Sequence, residues 1–332
     1  MSSAPQTVAG PFFDELQPGQ VVDGAPSLTL TEGLAAAHAA IVGDRLRLAL
    51  DRELSRRVLD GPLAHPALVW DVAIGQSTLL TGRVIANLFY RGLMFHRFPL
   101  IGDTLRTVTE VVALRQNRGR PGRAATGLAA LRVRTVDQKD RPVLDFWRCA
   151  MLPLSDPEGQ TAHAADLEQI PSELEPSALR TGIAGWRLDE FRALPGAHFT
   201  ELIAGTVWKV VGGDVVTSAP ELARLTLNVA MAHHDAASST AGRLVYGGHT
   251  IGLAAAQVAR ALPNLVTIVG WHGCDHLGPV REGDTLRSVI ELERVEAIPT
   301  GGGLVHLRSR VSADREGSSQ DVLDWRFIGV MA

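Results

Sequence analysis

The chain has only two cysteines in 332 residues, Cys149 and Cys274, and they form no CxxC pair. That excludes a disulfide framework and suits a reducing cytoplasm, where we expect the protein to work. It has no unbroken apolar run long enough to cross a bilayer, and the opening MSSAPQTVAGPFF shows no charged start followed by an apolar stretch. Neither a membrane partner nor a secretory leader is therefore expected. An excess of positive charge is missing too: the formal net charge is −4, which gives no electrostatic reason for a nucleic-acid partner. The composition, 45% apolar and 20% charged, is that of a globular protein with room for about two domains.

The chain also repeats itself. GDTLR occurs at Gly102–Arg106 and again at Gly283–Arg287, 181 positions on. FDELQPGQV at Phe13 answers FTELIAGTV at Phe199, VLDFW at Val143 answers VLDW at Val322, and HRFP at His96 answers HLGP at His276. Four matches in one order, with a slowly shrinking offset, mark a tandem duplication whose period is too long for a solenoid unit.

Each copy reads alike. A short opening strand (GQVV, GTVWKV) leads to a helix. In the first copy this is TEGLAAAHAAIVG, with Thr31 as its cap. In the second it is SAPELARLTLNVAM, where Ser218 and Glu221 are spaced as a capping box and Pro220 sits in the first turn. Next come PALVWDVAIGQSTLL and HTIGLAAAQVARAL, apolar on nearly every face and so buried. The rest alternates as strands with one covered face. A buried helix wrapped by an antiparallel sheet, occurring twice, makes an α+β tandem double hotdog. We place the N-terminal hotdog at 10–155, an acidic, partly helical linker at 156–190 and the C-terminal hotdog at 191–332.

The segment LNVAMAHHDAASSTAGRLVYGGHTIGLA, Leu227 to Ala254, resembles the MaoC-like, (R)-specific enoyl-CoA hydratases, whose motif is Asp-x-Asn-Pro-x-His followed by a His-Gly-Met loop that opens the buried helix. His233 matches the motif histidine, Asn228 stands where the family usually has aspartate, and Ala230 and Met231 replace Asn-Pro. LTEG, VIANLFYRG, ALRQN, NVAMAHHD, RLVYGGH and GDT resemble the mesaconyl-CoA hydratase (β-methylmalyl-CoA dehydratase) branch, across both halves. The resemblance implies a hydro-lyase acting on a short branched dicarboxylic enoyl-CoA, with no metal or redox cofactor, coenzyme A as part of the substrate, and a homodimer. Left open are a hydratase for plain acyl chains, a hotdog thioesterase and a non-catalytic acyl-CoA-binding protein.

The residues fit that chemistry. Hydration of a conjugated thioester needs a base for water, an acid for Cα and donors for the thioester oxygen. A histidine can serve as base and then acid because its ordinary pKa lies near neutrality. Asn228 can orient water but cannot take its proton. Backbone N–H groups at a helix start suit an oxyanion, and Gly247 and Gly248 let an acyl group approach closely. Tyr246 and His249, beside that glycine pair, join the substrate-binding set. The first copy keeps Asp44 but has Ala49 in place of the histidine, and His65-Pro66 in place of the glycines. It is read as the substrate-shaping half, with Asp44 a turn residue.

Arg91 and Arg83 bracket VIANLFY and are the candidates for a substrate carboxylate, Arg91 preferred. Arg115, Arg118, Arg120 and Arg123 crowd one hairpin, where they are either a solvated tip or contacts for the coenzyme's phosphates. WHGCDH holds ligand types at His272, Cys274, Asp275 and His276. It continues a strand, though, and His276 matches His96 in a copy without such a cluster. We read the segment as lining the acyl pocket and expect no metal site.

Overall fold

The computed structural model describes residues 8–119, 121–238, 242–299 and 301–332. The first half opens with β1 (Val21–Val22), β2 (Leu28–Thr29), α1 (Glu32–Val42), α2 (Arg47–Leu50) and α3 (Arg52–Leu59). The buried helix α4 (Pro66–Gln76) follows, then β3 (Ala86–Phe95), β4 (Thr104–Gln116), β5 (Thr126–Val136) and β6 (Pro142–Pro153). Two short helices, α5 (Pro176–Thr181) and α6 (Leu188–Arg192), lie on the connecting segment. The second half repeats the order with β7 (Val207–Lys209), β8 (Asp214–Val215), α7 (Ala219–Leu225), α8 (Gly247–Ala261), β9 (Leu265–His276), β10 (Thr285–Ala297), β11 (Gly303–Arg315) and β12 (Ser318–Met331). The protein is a double hotdog.

Local signals explain most boundaries. Thr31 caps α1 by accepting from the Leu34 N–H at 3.1 Å. The capping box at α7 does not form. Ser218 sits at the N-cap with a left-handed φ of 58° and makes no side-chain cap. Glu282 takes over the task, accepting from the Ala219 N–H at 3.1 Å. The same helix stops at Leu225 rather than running to Met231, because Leu227 turns left-handed at φ 61° and redirects the chain.

Among the described residues, all twelve strands form one antiparallel sheet, in the order β1-β4-β5-β6-β3-β9-β12-β11-β10-β7, with β2 on β4 and β8 on β10. The two halves therefore join edge to edge through β3 and β9. Phe89 pairs with Asp275 and Met94 with Gly270, and each pair maps onto the other under the 181-residue shift that separates the GDTLR copies. The seam is thus a pseudo-twofold. It removes two sheet edges that would otherwise present unpaired backbone groups. α4, buried along its whole length, and α8, buried along most of it, pack together beneath the sheet. No helix among the described residues is long and apolar enough to cross a membrane.

The halves also share a core. Trp70 of α4 lies with its ring 4.8 Å from Trp271 of β9 and 6.2 Å from Trp325 of β12, centroid to centroid, and all three are fully buried. We expect the chain to unfold in one cooperative transition. Trp70→Ala should lower its unfolding free energy by about 3–5 kcal/mol, as removal of a large buried ring does. Two separate denaturant transitions, with only the first one shifted by the substitution, would refute a common core.

Candidate active site

A cavity of about 800 Å³ lies where the halves meet. From the second half it takes the Asn228–His233 segment, the start of α8 at Tyr246 and Gly247, and the end of β9 at His276. From the first half it takes Thr78 beyond α4, Arg83, Asn87 and Tyr90 around β3, and Arg148 of β6. Two backbone donors fix the Asn228–His233 segment to the first half. The Val229 N–H donates to Thr78 Oγ1 at 2.9 Å and the Met231 N–H to the Gly82 carbonyl at 2.9 Å.

His233 sits in a 3₁₀ turn and is only 8% exposed. Its Nδ1 lies 2.9 Å from the Leu244 carbonyl oxygen. A carbonyl can only accept, so Nδ1 carries the proton and Nε2 is left as the lone-pair nitrogen of a cavity-lining ring. Burial, chiefly, pushes this imidazole down to about 4, with the charges of His234 and Arg148 acting the same way. It is therefore neutral at pH 7. Asn228 is also buried, and its Oδ1 accepts from the Ala230 N–H at 3.0 Å, which leaves the side-chain NH₂ to donate. His234 faces away from this role and ties the loop down, Nε2 donating to the Asn228 carbonyl at 2.6 Å.

The start of α8 completes the wall. The N–H groups of Gly247 and Gly248 have no acceptor among the described residues, as befits the first turn of a helix. A side chain on Gly247 would stand 2.8 Å from the His276 ring, so glycine lets that ring close on the helix start. His276 is a second neutral imidazole, pushed down to about 4 mainly by burial, and its Nε2 has no partner among the described residues. By strand pairing, its counterpart is not His96. Leu323 opposes His276 and Leu144 opposes Phe95, so the first copy has Phe95 at this place.

Several expected site residues lie elsewhere. Arg91 is off the cavity: Nη1 is bound to Asp275 Oδ1 at 2.6 Å and the guanidinium lies over the Phe89 ring, so its charge is already answered. Gly248 faces α4, where a Cβ would stand 2.0 Å from Asp71 Oδ1; its glycine serves helix packing rather than acyl approach. His249 is fully buried away from the cavity, with both ring nitrogens unpartnered among the described residues. Tyr246 lines the cavity, but its hydroxyl donates to the Asp71 carbonyl at 3.2 Å, so it presents the ring. Arg83 does line the cavity, held by Nε donating to the Gly10 carbonyl. Arg115 lines neither this cavity nor its neighbour. Arg118 and Arg123 line a separate groove that meets the cavity at Ile85, and Arg120 lies outside the described residues.

Asp44 is more than a turn residue. It accepts from the Leu46 N–H at 2.9 Å, and it is also buried against His65, whose Nε2 lies 2.7 Å from Oδ1. His65 Nδ1 accepts from the Ala67 N–H, so the ring donates through Nε2 and has no free lone pair. The first copy's histidine is thereby occupied. Arg148, Thr78 and Tyr90 also line the cavity, and no motif in the sequence marks them. A signal for Arg148 existed: Leu144, Phe146 and Arg148 share one face of a strand by period two, and the VLD alignment sets Phe327 opposite the arginine.

Fold and site define a tandem double hotdog whose shared acyl-sized cavity carries a neutral histidine. Comparison agrees. The chain is 27% identical over 326 residues to the β-methylmalyl-CoA dehydratase of Chloroflexus aurantiacus, covering 95% of this chain and 91% of that one. It is 28% identical over 315 residues to the mesaconyl-CoA hydratase of Cereibacter sphaeroides, covering 91% and 89%. The solved structure of RV0216, a conserved hypothetical double-hotdog protein from Mycobacterium tuberculosis, superposes with a TM-score of 0.91 at 54% identity, covering 97% of this chain and 99% of that one. No family model matches the chain. The chain is a double hotdog that resembles the MaoC-like hydratases and dehydratases, and the curated relatives named above are hydro-lyases of CoA thioesters.

His233→Ala should cut turnover by at least ~10²-fold, the usual loss for a general acid–base group, with the fold retained by circular dichroism. Near-normal turnover would move the base elsewhere, His276 being next in line. A second expectation concerns pH. His233, His249 and His276 are each pushed down to about 4 by burial. As pH falls below about 6.5, the unfolded chain takes up protons that the native one refuses, so stability is lost. Each histidine should cost about 1.5 kcal/mol between pH 6.5 and 5. Denaturant midpoints that do not differ between pH 7 and pH 5 would show that these rings protonate within the fold.

Proposed function

We propose that the protein adds water reversibly across the double bond of an enoyl-CoA thioester. The observation that carries this reading is His233, with Nδ1 tied to the Leu244 carbonyl and Nε2 left as the base in a cavity that also holds Asn228 and the open end of α8. Nε2 takes a proton from water as the oxygen bonds to Cβ. The electron pair of the double bond moves through Cα onto the thioester oxygen, where the N–H groups at the start of α8 stabilise it. The imidazolium then returns its proton to Cα as the thioester re-forms. Asn228 donates to the water oxygen and fixes its direction of attack. One histidine thus serves as base and then acid, consistent with an asparagine that cannot take a proton at position 228.

For the acyl group we favour a short branched dicarboxylic chain such as mesaconyl-CoA. The two curated relatives align along both halves, including the first-half segments that wall the cavity. The groove that meets the cavity at Ile85, with Arg118 and Arg123 on its lining, suits the coenzyme's phosphates. The two buried, unpaired cysteines fit a reducing cytoplasm, where we place the enzyme.

Purified protein should bleach the enoyl-thioester absorbance of mesaconyl-CoA faster than that of crotonyl-CoA, and a thiol reagent should detect no free coenzyme A. A thiol signal would make the protein a thioesterase, and a preference for crotonyl-CoA a plain-chain hydratase. Binding with no change in either readout would leave an acyl-CoA-binding protein.

A further inference from the structure

Arg148 is the only lysine or arginine among the buried described residues, at 3% exposure, and it lines the cavity. Its three nitrogens are held by neutral groups. Nε donates to Asn87 Oδ1 at 3.2 Å, Nη1 to Ser77 Oγ at 2.8 Å and Nη2 to Thr81 Oγ1 at 3.3 Å. No carboxylate pairs with it among the described residues, although nearly every other buried or half-buried strand arginine has one. Arg132 is bound to Asp145 and Arg308 to Asp324. A guanidinium has five N–H groups, so one on each Nη remains, the fork that a carboxylate accepts bidentately. Burying an unanswered cation is costly, and the cost is removed when an anion completes the site.

The duplication supplies an internal control. In the second half, Phe327 takes the place of Arg148, Trp271 that of Tyr90 and Trp325 that of Phe146, and these rings fill the space. The arginine is therefore no requirement of the fold. It occurs in the half that walls the cavity, beside His233.

We propose that Arg148 reads the acyl group, binding a second carboxylate carried by the enoyl-CoA substrate through its free N–H fork. This rests on the hydratase reading above and makes acidic acyl chains the substrate class. Arg91, closed by Asp275, is not the reader. A bound carboxylate would also offset the charge that disfavours the protonated His233 during catalysis.

The test compares wild type with Arg148→Met and Arg148→Lys, each checked for folding by thermal melting. The ratio of kcat/KM for mesaconyl-CoA to that for crotonyl-CoA should fall at least ~30-fold in Arg148→Met, the scale for truncating one partner of a buried charge pair. Arg148→Lys, a point charge without the fork, should recover part of it. Equal losses on both substrates would overturn the proposal, as would a wild type that hydrates crotonyl-CoA and ignores mesaconyl-CoA; the hydratase reading survives either result. Calorimetry with the saturated esters succinyl-CoA and butyryl-CoA gives a readout that needs no turnover. Wild type should bind succinyl-CoA more tightly, and Arg148→Met should abolish the difference. If no enoyl-CoA is hydrated, the hydratase reading falls and this binding difference alone decides the role of Arg148; its absence from the wild type overturns it.

Discussion

The pairing of β3 with β9 is the constraint on which the rest of this molecule depends. Each copy of the duplicated unit ends in a sheet edge whose backbone groups need partners, and each copy's edge satisfies the other's. Once the seam is closed, α4 and α8 lie side by side under one continuous sheet. The open end of α8 then points at residues of the first half, and the cavity forms along that junction. Neither copy contains it alone: the histidine and the helix start come from one, and Arg148, Tyr90 and Thr78 from the other.

Duplication creates two pseudo-equivalent places, and the chain treats them oppositely. At one, Asn228 follows the left-handed Leu227, His233 keeps an unbonded nitrogen, and the wall carries a buried cation. At the other, Asp44 holds His65 through Nε2, and the Trp70, Trp271, Trp325 and Phe327 rings fill the interior. The physical trade is between packing and solvation. Rings bury apolar area and bring cohesion, while the open site keeps a cavity, neutral imidazoles and an unanswered guanidinium, each unfavourable to the folded state. One copy contributes the stability that allows the other to remain open.

Electrostatics inside the cavity follow from the same geometry. Burial lowers the basicity of His233 and His276, and Arg148 lowers it further. An anion seated in the cavity would answer that positive charge and so favour the protonated form of both rings. If the substrate carries a second carboxylate, as proposed, its charge and the proton transfer would be coupled through this one side chain.

Much was legible from residues alone. The duplication was readable because four short motifs recur in order, and the strands and buried helices because periodicity survives divergence between copies. The Asn228–His233 spacing and the glycine pair also stood out, since local sequence motifs carry their own geometry. What failed were inferences that needed distance information. Arg91 is held by Asp275, 184 positions away, and Gly248 stands against Asp71, contacts that no local motif encodes. Arg148 looked like any strand arginine, because its meaning lies in what does not surround it. The sequence by itself determined the duplication and the element order, and singled out His233 as the candidate base. Only tertiary structure decided which copy's groups share a cavity and which charges are already answered, because both depend on side chains brought together across the β3–β9 seam.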